Sequence, residues 1–270
     1  TGFVYGGQDA AYDFGVLTGV RIHYAGAAGQ NGQPRPALTL AGVGSASTLA
    51  DIQLSYSQGD GLRILGGAPK VAYLVCLGNA EDDVECALGA RPSLQYGLLV
   101  RSPDVLLTGE ADGIEVSNTV QGGFAQNFTL PVIVNYTLLG PGFYSGDVRT
   151  HRGAAVRVRD GGAIGLFNNL LGGMPLGLKV EGGISLNHTR NDSFLVQGNA
   201  LTALDTPLSA SGQSFDMTDW FLNQSPSNRV YDSRSDFQLV GPSLTPEPNP
   251  LLAEDAPLLL GARFDHPLLL

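Results

Sequence analysis

One short stretch of the chain concentrates carboxylates, with four of them in five residues: Glu81, Asp82, Asp83 and Glu85. Ca²⁺ prefers oxygen ligands of this type and takes about six to eight of them. The stretch therefore predicts a Ca²⁺ site, although it lacks the alternating Asp-x-Asp-x-Asp-Gly order of a dedicated calcium loop. The alternative is a solvated acidic turn.

Two cysteines, Cys76 and Cys86, bracket the same stretch. A disulfide between them would close a loop of roughly ten residues and stabilise the fold by about 2 to 3 kcal/mol. Disulfides persist mainly outside the cytoplasm, so the pairing also bears on the compartment. We predict the bridge, and the alternative is two reduced thiols in the core.

A further set of polar residues has the types that polysaccharide-cleaving enzymes use. Such enzymes need a pair of carboxylates, or a base with Ca²⁺, along one face of the fold. The candidates are Asp60, Asp82, Asp83 and Asp112, with Arg63 or Arg157 as charge partners. Their spacing does not separate them from ordinary turn acids, since Asp60 and Asp112 each precede a glycine. We therefore assign no catalytic residue and favour a non-enzymatic role.

Charge and composition exclude several kinds of partner. Asp and Glu outnumber Lys and Arg by 25 to 15, and the net charge of −10 leaves a nucleic-acid backbone or an anionic membrane nothing to bind. No apolar run approaches the roughly 18 residues that a membrane span requires. The four histidines lack metal-ligand spacing. Beyond Ca²⁺, no cofactor is predicted.

The elements that must position these residues are predicted to be strands. Short apolar alternations bounded by Gly, Asn or Asp recur along the chain, and helical periodicity is almost absent. One strand type ends in a shared glycine turn, at residues 62–67 (LRILGG), 156–162 (VRVRDGG) and 178–183 (LKVEGG). A repeated strand-and-turn unit is the mark of a solenoid.

Equivalent strands also follow one another at similar steps. Leu62 to Val84 and Val156 to Leu178 are both separated by 22 residues. This period predicts an all-β, right-handed parallel β-helix, in which each rung buries its inward side chains by stacking on its neighbours. An antiparallel sandwich is the alternative, but Asn31-Gly32 is the only Asn-Gly hairpin signal.

The predicted solenoid occupies residues 1–200. An irregular, Pro-rich cap and tail occupies residues 201–270, with five prolines in residues 241–257. A short helix is expected over residues 216–222, with Asp216 or Thr218 as its N-cap.

We also expect asparagines to stack as ladders between rungs, at Asn118, Asn135, Asn168 and Asn169.

Two groups of segments carry a family resemblance. The first comprises residues 19–26 (GVRIHYAG), 38–44 (LTLAGVG), 58–67 (QGDGLRILGG), 79–83 (NAEDD) and 94–96 (LQY). The second comprises residues 152–158 (RGAAVRV), 166–173 (LFNNLLGG), 219–221 (DWF) and 264–265 (FD). Together they resemble secreted bacterial right-handed parallel β-helix proteins of the pectate-lyase-like type, which have no assigned function. The resemblance spans nearly the whole chain and implies a fold, not a catalytic set.

The first functional hypothesis is a non-enzymatic, secreted or cell-surface structural protein. The chain begins at Thr1 without a methionine, as a processed secreted chain or a fragment would. Subunits would associate end to end into a filament or surface layer, the terminal rung at Thr1–Gly7 pairing with the apolar tail Pro257–Leu270 of a neighbour. Alternatively, the tail folds back on its own coil.

The second hypothesis is a carbohydrate-binding or polysaccharide-degrading lyase or hydrolase. Tyr56, Tyr73 and Tyr96 would lie on successive rungs and line a shallow groove together with nearby acids. Aromatic rings at such positions suit the flat faces of sugars, although tyrosine on a strand also serves packing.

Overall fold

The fold is given by a computed structural model that describes residues 4–29, 32–105, 107, 109–120, 123–124, 127–144, 151–191, 193–212, 214–242 and 249–269. Eleven of the described strands are β1 (Val16–His23), β2 (Leu38–Ala41), β3 (Thr48–Ser55), β4 (Leu62–Leu65), β5 (Lys70–Leu77), β6 (Val84–Ala87), β7 (Ser93–Val100), β11 (Val132–Leu139), β12 (Ala154–Val158), β14 (Leu170–Glu181) and β16 (Ala200–Ser211). The other described strands, of two to four residues, are β8 (Ile114–Val116), β9 (Thr119–Val120), β10 (Gly123–Phe124), β13 (Gly165–Phe167), β15 (Leu195–Gln197), β17 (Arg229–Val230), β18 (Leu239–Gly241) and β19 (Asn249–Leu252). The helices are α1 (Gly183–His188) and α2 (Met217–Gln224), with short 3₁₀ turns at Pro141–Phe143, Arg234–Phe237, Pro257–Leu260 and Pro267–Leu269.

Alternate strands of the chain build two parallel stacks. The first stack runs β1, β3, β5, β7, β11 and the start of β14, and the second runs β2, β4, β6, β8, β12, the end of β14 and the end of β16. A third, shorter stack is formed where β13 pairs with β11 and β15. Successive turns of the coil therefore pair in parallel, and the predicted β-helix is confirmed. The antiparallel sandwich is excluded.

The register of the second stack matches the period predicted from sequence. Leu62 pairs with Leu38 and Val84, and Val156 pairs with Ile114 and Leu178. Inward positions of each rung are aliphatic and buried, which gives one continuous core along the solenoid. Burial of these stacked side chains is what each rung gains from its neighbours.

The predicted disulfide is wrong, because Cys76 and Cys86 are both free, buried thiols. Cys76 lies in the first stack between Leu54 and Leu99, whereas Cys86 lies in the second stack. The segment that joins them is a corner that carries the chain from one stack to the other. Burial raises the pKa of both thiols, so they behave as small core hydrophobes.

A ladder of buried asparagines runs along one corner of the coil. The side-chain oxygen of Asn169 accepts a hydrogen bond from the backbone N–H of Tyr136 at 2.8 Å. In the same way, the oxygen of Asn199 accepts from the backbone N–H of Asn169 at 3.1 Å, and the oxygen of Asn228 accepts from the backbone N–H of Asn199 at 3.0 Å. Each side-chain amide also donates to a backbone carbonyl, for example Asn199 to Leu166. The ladder ties rungs together where the strand pairing is interrupted.

The C-terminal part closes one end of the solenoid. β16 is the last long parallel strand, and α2 packs beside it with Asp216 as its N-cap, as the sequence predicts. The tail then folds back along its own coil, where Gln197 donates to Asp265 at 3.1 Å. Within the described part of the chain, no helix is long and apolar enough to cross a membrane.

Candidate acidic groove

The outer face of the second stack carries an open groove of about 480 Å³. Its charged lining comes from the strands and from the turns that precede them. The carboxylates are Asp60, Glu81, Asp82, Glu85, Glu110, Asp112, Glu115 and Glu181. The arginines are Arg63, Arg157 and Arg159. We call this surface the acidic groove.

Three aspartates, Asp60, Asp82 and Asp112, form a ladder along the groove. Each lies two residues before the first residue of a strand, and each accepts a hydrogen bond from a backbone N–H of the next rung. The Asp82 amide donates to Asp60 at 3.1 Å, the Asp112 amide donates to Asp82 at 2.7 Å, and the Ala154 amide donates to Asp112 at 2.5 Å. The carboxylates are therefore held one rung apart, at about 4.8 Å spacing.

A second column of charged side chains runs parallel to this ladder. Arg63, Glu85, Glu115 and Arg157 are register partners on consecutive rungs. They occupy an outward position because neighbouring residues on each strand, such as Ile64 and Cys86, face the core. The groove is thus built from two charged columns that the coil repeat places side by side.

Arginines neutralise most members of the two columns. Arg157 is almost fully buried and its guanidinium contacts Asp112 at 2.6 Å, Glu110 at 2.6 Å and Glu181 at 3.0 Å. Arg63 pairs with Asp60 at 2.7 Å and with Glu85.

Arg159 pairs with Glu115 at 2.8 Å. These pairings hold the carboxylates in place within a partly desolvated surface.

Asp82 is the exception in this network. In the part of the chain that the structure describes, no arginine or lysine forms an ion pair with it, while Asp60 and Asp112 have one each. Burial raises the pKa of Asp82 well above its ordinary value, and the charges of Asp112, Glu115 and Asp60 raise it further. The hydrogen bond from the Asp112 amide offsets only part of this.

Asp60 shares this tendency to hold a proton. Burial raises the pKa of Asp60 to about 8, even though the Arg63 guanidinium lowers it. Burial also raises the pKa of Asp112 and of Glu115, against the opposing effect of their arginine partners. The groove therefore combines proton-holding carboxyl groups with arginine-paired carboxylates, which is the arrangement that general acid–base chemistry uses.

The family model for a pectate-lyase-like β-helix domain matches residues 1–239. The chain belongs to this family. Comparison with curated proteins and with solved structures gave no match. The pectate-lyase-like family assignment agrees with the parallel coil and leaves the roles of individual groove residues to be argued from their geometry.

The structure divides the four residues of the predicted Ca²⁺ site. Glu81, Asp82 and Glu85 line the acidic groove. Asp83 is fully buried and faces the interior, where it lies 3.3 Å from Arg101 and accepts a hydrogen bond from Asn79 at 2.9 Å. Among the described residues no group of His, Cys, Asp or Glu has an arrangement that would hold a metal ion. Ca²⁺ binding stays a prediction.

Most of the candidate enzyme residues lie together on one surface. Asp60, Asp82 and Asp112 share the groove with Arg63 and Arg157. Glu110, Glu115, Arg159 and Glu181 also line the groove and were not predicted from sequence, where Asp60 and Asp112 resemble ordinary turn residues. The missed signal is the Asp-x-aliphatic triplet that opens consecutive rungs, at Asp60-Gly61-Leu62, Asp82-Asp83-Val84 and Asp112-Gly113-Ile114.

The tyrosines that the sequence places near these acids lie elsewhere. Tyr56, Tyr73 and Tyr96 are not part of the lining of the acidic groove. Tyr73 and Tyr96 stack on each other at 5.2 Å between ring centroids, and Tyr56 stacks on Tyr24 at 5.4 Å. A single surface shared by all three tyrosines and the acids is therefore not formed.

Proposed function

We propose that this protein cleaves glycosidic bonds of an extracellular polysaccharide in the acidic groove, with Asp82 as the general acid. The observation that carries the proposal is Asp82 itself, a carboxyl group on an open surface with three carboxylate neighbours and, among the described residues, no ion-pair partner. Membership of the pectate-lyase-like family supports a polysaccharide substrate and an extracellular location. The free thiols remove the disulfide as an argument for secretion.

The proposed reaction is a hydrolysis. The Asp82 carboxyl group donates its proton to the glycosidic oxygen as the bond to the anomeric carbon breaks. A water molecule attacks that carbon and gives its proton to Glu115, which Arg159 favours in the ionised form. Arg157 fixes Asp112 beside Asp82. Proton transfer of this kind contributes about 10²–10⁴-fold to a rate.

The charge of the groove limits the substrate. Even with Asp60 and Asp82 protonated, six carboxylates of the lining face three arginines. A polymer of uronic acids would meet net negative charge, which opposes its binding unless cations accompany it. A neutral or amino-sugar polysaccharide therefore suits the groove better than pectate does.

The test compares three proteins on a polysaccharide panel. We expect the wild-type chain to release reducing ends from a neutral or amino-sugar polymer, and Asp82→Asn to lose about 100-fold or more of that rate. Asp82→Asn keeps the acceptor for the Asp112 amide. Asp205→Asn is the matched control, because Asp205 is an exposed aspartate on β16 and belongs neither to the groove lining nor to the residues with a left-handed backbone. Unchanged cleavage by Asp82→Asn, or no cleavage of any polymer by the wild type, contradicts the proposal.

A structural role remains a second proposal because the first stack ends in an unpaired strand. Among the described residues β1 pairs with β3 alone, and its side chains are largely exposed. An open strand edge of this kind can accept a strand from a second copy of the chain. Of the predicted joining segments, residues 1–3 and 270 lie outside the described residues, and the rest of the tail contacts its own coil.

Light scattering tests whether the tail takes part in assembly. If copies exchange tails, the full chain forms concentration-dependent oligomers and a chain ending before Ala256 stays monomeric. Equal particle masses for the two proteins contradict the tail-exchange form of this proposal.

A further inference from the structure

A second surface of the coil repeats one unusual backbone conformation. Asp51, Tyr73, Tyr96, Asn135 and Asn168 occupy equivalent positions on consecutive rungs of the first stack. Their φ angles are 54°, 57°, 60°, 58° and 57°, all in the left-handed region. We call this set the corner column. It lies on a different stack from the acidic groove.

Tyrosine is the unexpected residue type in the corner column. Aspartate and asparagine tolerate the left-handed region, whereas a bulky residue there costs about 1–2 kcal/mol. Tyr73 and Tyr96 nevertheless stand there with 55% and 44% of their surface exposed, their rings stacked at an interplanar angle of 9°. The strained backbone at these two positions is not compensated by burial of the rings. We therefore expect the rings to have a function at the surface.

Asn168 shows what an amide in the corner column can recognise. Its side-chain NH₂ donates to the Arg263 carbonyl at 2.7 Å, and its side-chain oxygen accepts the Arg263 amide at 2.7 Å. The side chain thus pairs with both the N–H and the C=O of the tail backbone. Asn135 has the same conformation one rung away, and among the described residues its side chain has no hydrogen-bond partner.

Asn135 opens into a cavity of about 640 Å³ between the coil and the tail. The cavity also offers the hydroxyl groups of Thr137 and Tyr231, the guanidinium of Arg229, and the apolar side chain of Leu258. Its volume lies within the roughly 300–1,000 Å³ of small-molecule sites. These donors and acceptors lie beside an apolar wall that also includes Leu170 and Leu252, which suits a ligand that combines hydroxyl groups with an apolar group.

We propose that the corner column and this cavity bind an N-acetylated amino sugar of the polysaccharide. The Asn135 amide pairs with the N–H and C=O of the acetamido group as Asn168 pairs with the tail, Leu258 packs near its methyl group, and Tyr96 and Tyr73 pack against the next sugar rings along the column. This inference rests on the proposed function, which supplies the class of ligand, a polysaccharide. It specifies which sugar of the polysaccharide is recognised.

A peptide would also present an amide, but the cavity does not provide what extended peptides need. Peptides that bind as strands require an unpaired strand edge. The strands beneath the cavity, β11 and β14, are paired on both sides, with β7 and β14 for the former and with β11 and β16 for the latter. Side-chain groups alone are left to bind the ligand, which favours a sugar.

Calorimetry with the full chain tests this inference. The probes are an N-acetylglucosamine tetramer, the corresponding glucosamine tetramer and a glucose tetramer, all measured in an Asp82→Asn background so that no probe is cleaved. We expect the acetylated tetramer to bind most tightly. Asn135→Asp keeps the backbone conformation and removes the NH₂ donor, so it should weaken that binding about tenfold or more. The preference for the acetylated probe should then disappear.

The tyrosines supply a matched pair of variants. Tyr73→Asn with Tyr96→Asn removes the rings and relieves the backbone, so binding should fall while the melting temperature holds or rises. Tyr24→Asn with Tyr56→Asn makes the same change in another stacked pair in the left-handed region, away from the cavity, and should leave binding intact.

Three results would overturn the inference. They are equal affinity for acetylated and deacetylated probes, unchanged binding in Asn135→Asp, and Asn135-dependent binding of a synthetic peptide of residues 257–269 in place of the sugar. Cleavage is measured separately with the intact Asp82. A chain that cleaves sugars but shows no role for Asn135 would therefore lose this inference and keep the proposed function.

Discussion

Two side-chain ladders in this solenoid do the same structural work with different chemistry. The asparagine ladder, Asn169, Asn199 and Asn228, and the aspartate ladder, Asp60, Asp82 and Asp112, both accept backbone amides of a neighbouring rung at about the distances of ordinary hydrogen bonds. The first is buried in the coil corner, and the second borders an open groove. Only the second carries ionisable groups.

The difference in residue type between the two ladders shows which side chains the fold requires and which it does not. An asparagine accepts the amide and also donates to a carbonyl, as Asn199 does to Leu166, so it satisfies a buried corner without charge. An aspartate cannot donate unless it is protonated, and its burial is costly without a partner. The fold alone would be served by asparagine at Asp82. The carboxyl group there calls for another explanation, and acid–base chemistry supplies one.

Exchanging the two residue types tests this distinction, and the largest effect is expected in the asparagine ladder. Asn199→Asp removes the donor to Leu166 and places a carboxylate in the core, so the free energy of unfolding at pH 7 should fall by about 3 kcal/mol or more. The loss should shrink at pH 4.5, because the introduced carboxyl group is protonated there. Urea denaturation at both pH values measures it.

Asp82→Asn is the reverse exchange and the control. It preserves the acceptor for the Asp112 amide and removes an ionisable group from among three carboxylates. Its free energy of unfolding at pH 7 should equal or exceed that of the wild type. If Asp82→Asn destabilises the chain as much as Asn199→Asp does, the fold requires the aspartate at position 82 as strictly as it requires the asparagine at position 199.

The β-helix could be predicted from sequence because its period appears in the aliphatic residues that every rung buries. The steps from Leu38 to Leu62 to Val84, and from Val156 to Leu178, reappear as the register of the second stack. The disulfide was not open to prediction in the same way. Two cysteines close in sequence lie on different stacks here, because a corner intervenes between β5 and β6.

The site could be predicted in part. The residue types at Asp60, Asp82 and Asp112 were recognised, but an aspartate before glycine looks like any turn residue until the rungs are aligned. Asp82 and Asp83 are neighbours in sequence, and only the coil shows that one lines the groove while the other pairs with Arg101 in the interior. Among the asparagines, Asn169 was placed correctly in the ladder, whereas Asn135 has no such contacts among the described residues.

The smaller effect expected from this comparison is a pH dependence of stability. The pKa of Asp60 is raised by burial from 3.8 to about 8, so the folded chain holds this proton over a range in which the unfolded chain releases it. The contribution of Asp60 to stability is therefore complete below about pH 4 and is lost as the pH rises through about 8. Burial and the neighbouring carboxylates act on Asp82 in the same direction.

Asp60→Asn should remove the Asp60 part of that dependence. At pH 8.5 the variant should be more stable than the wild type, because a buried group that must ionise is gone and Arg63 keeps Glu85 as a partner. At pH 4 the two proteins should unfold at nearly the same urea concentration. Asp51→Asn, on the other stack, should follow the wild type at both pH values. Parallel curves for Asp60→Asn and wild type would mean that Asp60 is ionised in the folded chain, as one half of an ordinary ion pair with Arg63.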